Sequence, residues 1–233
     1  MACNIQNKIV TSDLLLCYDS ADKKSYPGSG NTWLDRSGNS NSGTLTGGPV
    51  YSDANYGTLT FDGVDDSVLI TCPQVVGKST ITVEMFTTWL SLNNRMFVSS
   101  GTVTGTYYSV WTSSFNFGYN TGTGNIIGIP STTTTALQLV GKPHLYTFVM
   151  NSSGNLTSNK IYVDGVSVGS LSVVLGSDAT CPAFSSNWRL LNFVTSGTAA
   201  NHAIGSFRIY GRELSVDEIQ QNYNAAKSRF GIT

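Results

Sequence analysis

Punctuation by turn residues is the feature that most restricts how this chain can fold. Short β-branched or aromatic runs alternate with Gly, Asn and Ser clusters at intervals of roughly 8–15 residues, a spacing that suggests a sandwich or barrel. Leu14-Leu15-Leu16-Cys17-Tyr18 reads as a first strand too apolar to be half exposed. Thr80 to Leu90 reads as a long strand, with Ile81, Val83, Met85, Thr87 and Trp89 on one face and Thr82, Glu84, Phe86 and Thr88 on the other. Further strands are expected at 94–99, 106–112, 115–119, 125–129, 144–150, 159–163, 166–171, 188–194 and 203–210. Asp164-Gly165 between two apolar runs signals a two-residue hairpin, whose primed turn needs positive φ at both positions. Between residues 22 and 57 only Leu45 and Thr46 look strand-like.

One helix breaks the pattern. Ser215 with Glu218 three residues on forms a capping box. Val216, Ile219, Tyr223, Ala226 and Phe230 then make an apolar stripe, Lys227 and Arg229 suit the last turn, and Gly231 stops the helix. The expected architecture is all-β: an antiparallel jelly-roll β-sandwich over residues 13–233 with one short C-terminal helix, preceded by an arm, residues 1–12.

Composition removes several functions. Charged residues are 12% of the chain and the net charge is −1, without the basic excess of a nucleic-acid binder. No apolar run reaches the ~20 residues that span a bilayer, so no membrane partner is expected. The N-terminus has no signal-peptide pattern. Cys3, Cys17, Cys72 and Cys181 form no C-x-x-C pair and read as free thiols, with a disulfide as the lesser alternative, rather than as zinc ligands. His144 and His202 lie in no motif with a Ser or Cys nucleophile.

Several segments resemble laminin-G-like domains of the concanavalin A-like lectin/glucanase superfamily. They are Ile161-Tyr162-Val163-Asp164-Gly165-Val166 and Ala203-Ile204-Gly205-Ser206-Phe207-Arg208-Ile209-Tyr210-Gly211-Arg212-Glu213-Leu214-Ser215. Thr32-Trp33-Leu34-Asp35-Arg36-Ser37-Gly38-Asn39 and Phe61-Asp62-Gly63-Val64-Asp65-Asp66 are similar to the phage and bacterial branch. The resemblance spans Leu14 to Ile232 and is specific for fold rather than function.

The resemblance implies a non-enzymatic virion surface protein of a tailed phage, a capsid decoration protein displayed on the virion. Its partners would be the major capsid protein or other virion proteins, and a homo-oligomer, such as a trimer, fits such a coat. Ile5, Ile9 and Val10 are the arm side chains assigned to partner contact, the alternative being that the arm adds an edge strand to its own sandwich. The alternative is a lectin-like adhesin on tail or head that binds a host surface glycan. Its candidate residues are Trp111, Tyr119, Asn120 and Asn125, beside a Gly/Thr/Asn loop; Trp33, Trp89 and Trp188 read more readily as core. A glycan hydrolase ranks third. Glucanases of the superfamily carry Glu-x-Asp-x-x-Glu, whereas Glu84 is followed by Phe86 and Thr88, so no catalytic residue is assigned. Glu84 is expected instead to pair with Arg95 or Arg189. No cofactor is expected; a structural Ca²⁺ would sit at Asp62, Asp65 and Asp66, although Asp62 and Asp65 read first as turn caps.

Overall fold

The computed structural model describes residues 9–54, 56–91, 94–99, 108–112, 116–121, 125–130, 139–191 and 201–232, side chains of 94–99, 108–121 and 130 excepted. Its strands are β1 (Leu14–Asp19), β2 (Thr32–Trp33), β3 (Gly43–Thr46), β4 (Val50–Ser52), β5 (Thr58–Asp62), β6 (Ser67–Thr71), β7 (Thr80–Trp89), β8 (Asn94–Ser99) and β9 (Tyr108–Thr112). They continue as β10 (Asn116–Thr121), β11 (Ile126–Pro130), β12 (Pro143–Asn151), β13 (Lys160–Val163), β14 (Val166–Ser167), β15 (Ser172–Leu175), β16 (Asn187–Leu190) and β17 (Asn201–Tyr210). The helix, α1, spans Val216–Lys227 and runs into a 3₁₀ turn at Ser228–Phe230.

The strands form two antiparallel sheets. Sheet A has the order β14-β13-β12-β7-β17-β5-β4, with β1 also paired to β17. Sheet B has the order β15-β11-β10-β9-β8-β16-β6-β3-β2. The core lies between them: Leu16, Tyr18, Val83, Met85, Phe148 and Phe207 from sheet A meet Trp33, Val68, Ile70, Ile127, Trp188 and Leu190 from sheet B. Period-2 alternation separates this face of sheet A from the opposite one, which carries Thr82, Glu84, Phe86, Leu145, Val149 and Tyr210. α1 covers that second face, burying Ile219, Ala225 and Ala226 with the strand residues beneath. Among the described residues no helix is long and apolar enough to cross a membrane.

The local signals mostly act as expected. Ser215 Oγ accepts from Glu218 N at 3.2 Å and Glu218 Oε2 accepts from Ser215 N at 2.9 Å, closing the capping box. Asp164 (φ 54°) and Gly165 (φ 80°) make the primed turn, and Gly231 ends the C-terminal segment at φ 70°. Val216 departs from the apolar stripe, being 58% exposed, while Asn222 is fully buried. The edge strands β2, β4 and β15 fall where no strand was expected, because each is short and held by its neighbour rather than by its own pattern.

Two expectations are corrected. Cys17 is disulfide-bonded, so the free-thiol reading holds only for the buried Cys72 and Cys181. Ile9 and Val10 are not a free arm. Both are buried against Leu214, Ile219 and Tyr210; Val10 N donates to Asn222 Oδ1 (2.8 Å) and its carbonyl accepts from Tyr210 Oη (3.1 Å). Two apolar side chains next to an uncovered sheet face find their burial within the subunit, which removes them from partner contact. Ile5 lies outside the described residues.

Candidate functional site

α1 occupies the outer face of sheet A; on the outer face of sheet B the described residues Thr44, Leu69 and Thr71 are exposed, whereas Ile126 and Gly128 are buried. The ladders define which residues share it, because directly opposed residues stand on one face of a sheet. One row runs Thr44–Leu69–Arg189–Val98–Ser109–Asn120. The next row of the same face runs Arg95–Trp111–Gly118–Gly128–Ser172. Between them lies the row Leu45–Val68–Leu190–Phe97–Val110–Tyr119–Ile127. Its described members Leu45, Val68, Leu190 and Ile127 are buried, so this row faces the core.

The register sorts the sequence candidates. Trp111 and Asn120 stand on the outer face. Tyr119 holds a register position in the core row, neighbours along a strand alternating between faces; its side chain, like those of Trp111 and Asn120, lies outside the described residues. Asn125 is held in a turn. Its Oδ1 accepts from Ser177 N (2.9 Å) and Ser177 Oγ (3.3 Å), tying the turn after β15 to the approach to β11. Trp33, Trp89 and Trp188 are all buried in the core.

Arg189 is the outer-face residue that sequence reading missed as a site. Arg36, Arg208, Arg212 and Arg229 each ion-pair with a carboxylate. Arg189 has no carboxylate partner among the described residues. It is half-buried, and removal from water lowers its guanidinium pKa. Exposed Thr71 and Asn187 and the 37% exposed Leu69 surround it in the ladder. No strand of sheet B contains Asp or Glu, and Arg95 and Arg189 are its only charged strand residues. The signal is present in the sequence but has no meaning until the order of strands is known.

Glu84 lies on the other sheet, sealed under α1. It pairs with Arg208 (3.2 Å) and accepts from Asn222 Nδ2 (3.0 Å), so its partner is neither Arg95 nor Arg189. Burial raises its pKa against the opposing pull of Arg208. His144 Nδ1 lies 2.6 Å from Asp164 Oδ2. His202 is fully buried, and Thr87 beside it donates its hydroxyl to the Ala203 carbonyl (3.0 Å). Asp62, Asp65 and Asp66 do converge, their carboxylate oxygens within 4.8 Å of one another. Two of the three are already used in the turn: Asp62 Oδ1 accepts from Val64 N (2.8 Å), and Asp66 Oδ2 from Asp62 N (2.9 Å). Desolvation, and then Asp62 and Asp65, raise the Asp66 pKa. Binding through one oxygen each, three carboxylates supply half or less of the six to eight oxygens that Ca²⁺ takes.

Comparison with known proteins gives a consistent picture. A family described as the concanavalin A-like lectin/glucanases superfamily, Laminin_G_3, matches residues 62–220, more than half of the chain. No characterised protein matches by sequence. Among solved structures, the receptor-binding domain of botulinum neurotoxin C/D mosaic serotype superposes with a TM-score of 0.64 at 14% identity, covering 92% of this chain and 52% of that one. The binding domain of botulinum neurotoxin DC in complex with SialylT gives 0.62 at 14% identity, with coverage of 93% and 52%. The chain thus spans about half the length of these relatives. Domain 4 of AbnA, an extracellular GH43 arabinanase of Geobacillus stearothermophilus, in complex with arabinotriose, gives 0.62 at 17% identity, covering 91% of this chain and 98% of that one.

Proposed function

Because the chain belongs to the concanavalin A-like lectin/glucanase superfamily, we propose that it is a non-catalytic carbohydrate-binding domain that uses the outer face of sheet B. The observation that carries this reading is the row Trp111–Gly118–Gly128. Gly118 and Gly128 put no side chain beside Trp111 in this row, a floor of which Gly128 is buried, and an aromatic ring at its edge can take the flat face of a sugar. An indole offers a large apolar surface with one polar edge, which suits a ligand that is apolar on its faces and polar at its rim. Asn120, Ser109 and Ser172 stand in the same two rows and supply hydrogen-bonding groups. The arabinanase domain, solved with a trisaccharide and matched over almost its full length, supports the reading; what the botulinum domains bind stays with those proteins.

Hydrolysis is not part of the proposal. It needs two carboxylates about 5–9.5 Å apart across a sugar, and the strands of sheet B carry none. The resemblance to the phage and bacterial branch supports a virion surface as the setting, where many copies would add avidity. Capsid decoration as the main role has less behind it, since Ile9 and Val10 are taken up by the chain's own helix. The test is a glycan array followed by titration calorimetry on the retained sugars. Wild-type protein should retain at least one oligosaccharide and release no reducing ends from it. Trp111→Ala should weaken binding tenfold or more without changing the melting temperature. Retention of no saccharide would end this reading.

A further inference from the structure

The charge pattern of sheet B carries the binding proposal one step further. A guanidinium that is half-buried and has no counter-charge is costly to maintain, since burial removes hydration that a carboxylate would otherwise replace. The chain meets this cost elsewhere by pairing Arg36, Arg208, Arg212 and Arg229. Arg189 is left unmatched at the middle of the open face, on β16 between Leu69 and Val98. Arg95 takes the next position of that face along β8, beyond the bulge between Arg95 and Phe97, which makes it a diagonal neighbour of Arg189. It is also the direct partner of Trp111. The face therefore sets two arginines beside an aromatic residue and a glycine floor, on a sheet whose strands hold no carboxylate, in a chain whose net charge is −1. A half-buried arginine without a counter-charge among the described residues, on a sheet with no acidic strand residue, marks where an anion is to be bound.

Resting on the proposed glycan-binding role of this face, we infer that its ligand is an anionic saccharide, with Arg189 and Arg95 receiving a carboxylate or sulfate and Trp111 the adjoining ring. A planar guanidinium can hold either group through two parallel hydrogen bonds, which gives direction as well as charge. A nucleic acid would demand a longer basic track than two arginines.

The experiment is titration calorimetry of the full chain with five ligands: a neutral oligosaccharide, a uronate-containing one, a sulfated one, sodium sulfate and a single-stranded oligonucleotide. The uronate or the sulfated sugar should bind at least tenfold more tightly than the neutral one, and the advantage should shrink as salt rises. Arg189→Gln should abolish the advantage while leaving the melting temperature unchanged. Arg189→Lys should retain only part of it, since the charge remains and the fork is lost. Which of the two acidic sugars wins identifies the anion. Equal or tighter binding of the neutral sugar, or a preference that survives Arg189→Gln, would overturn the inference and leave glycan binding standing. Binding of sulfate or the oligonucleotide as tightly as any sugar would overturn it as well. Failure to bind any saccharide would remove the underlying reading itself.

Discussion

Arg208 Nη1 lies 3.2 Å from Glu84 Oε2 with both side chains buried beneath α1, and this pair is the polar centre on which the helix docks. Asn222 reaches down from the helix, donating to Glu84 Oε2 and to Tyr210 Oη (3.0 Å each), and its Oδ1 receives Val10 N at 2.8 Å. Thr147 Oγ1 donates to the other Glu84 oxygen. Helix, N-terminal segment and sheet are thus joined through one buried carboxylate.

The two halves of this pair should not be equivalent. Glu84→Gln leaves a guanidinium that cannot discharge itself, and should cost about 3–5 kcal/mol. Arg208→Met should cost less, because an unpaired Glu84, already pushed up by burial, can take a proton. With its folded pKa raised further, that carboxyl favours the folded state increasingly as pH falls. The Arg208→Met deficit should therefore narrow towards pH 5 while the Glu84→Gln deficit does not. Urea unfolding of both variants at pH 5 and pH 7 measures the difference.

His202 predicts an acid weakness of the core. It is fully buried, and burial takes its pKa from 6.5 down to about 3. Thr87 Oγ1 donates to the Ala203 carbonyl and so accepts from His202 Nδ1 at 3.2 Å, while Nε2 has no hydrogen-bond partner among the described residues. The folded state holds a neutral imidazole and the unfolded chain binds a proton below pH 6.5, so stability is lost as pH falls from 6.5 towards 3. The loss at pH 4 should be on the order of 3 kcal/mol. His202→Asn keeps a donor for Thr87 and should remove this component. Chemical denaturation between pH 7 and pH 4 gives the slope; equal slopes in the two proteins would refute the assignment.

The helix cap has its own pH window. Arg212, first, and the Ser215 backbone N–H hold the Glu218 pKa down at about 2. A lowered carboxylate pKa contributes stability above its unfolded value near 4.5, which is lost as pH falls through that value towards 2. Both partners are partly exposed, so solvent screens the pair and about 1 kcal/mol is the expected scale. Ser215→Ala should cost a similar amount at pH 7, read as a lower melting temperature.

What could be read in advance follows from which signals are local. The capping box at Ser215 and Glu218 and the Asp164-Gly165 turn are complete within a few residues, and both formed as written. Long alternating strands such as β7 carry enough period-2 pattern to be placed. β2 and β15 have no such pattern and exist because a neighbouring ladder offers free groups. Asn222 breaks the helix's apolar stripe for the same reason: its partner Glu84 is 138 residues away and invisible from the helix. Tyr119 and Asn120 show the limit for the site. Their neighbourhood was legible, but which of them faces outward depends on register with Val110, Ser109 and Ile127. Arg189 became a candidate only once sheet B was seen to lack acidic strand residues.

Gly205 and Phe230 set the last prediction. Gly205 falls at the register shift between Ile204 and Ser206, where β17 passes under the C-terminal segment. A Cβ built there would stand 2.3 Å from Phe230 Cζ, well inside any tolerable contact. Phe230 in turn stacks on Phe86 with ring centroids 3.7 Å apart and meets Tyr56 at 6.2 Å. The added methyl must therefore lift the ring from Phe86 rather than push a flexible chain end aside. Gly205→Ala should cost about 1–3 kcal/mol by overpacking, and Phe230→Ala about 3–5 kcal/mol by emptying the site. The two effects should not add. With the ring gone, the methyl meets open space, so Gly205→Ala in the Phe230→Ala background should be close to neutral. A double-mutant cycle by thermal unfolding reads this coupling, and additive costs would show that the contact does not constrain Gly205.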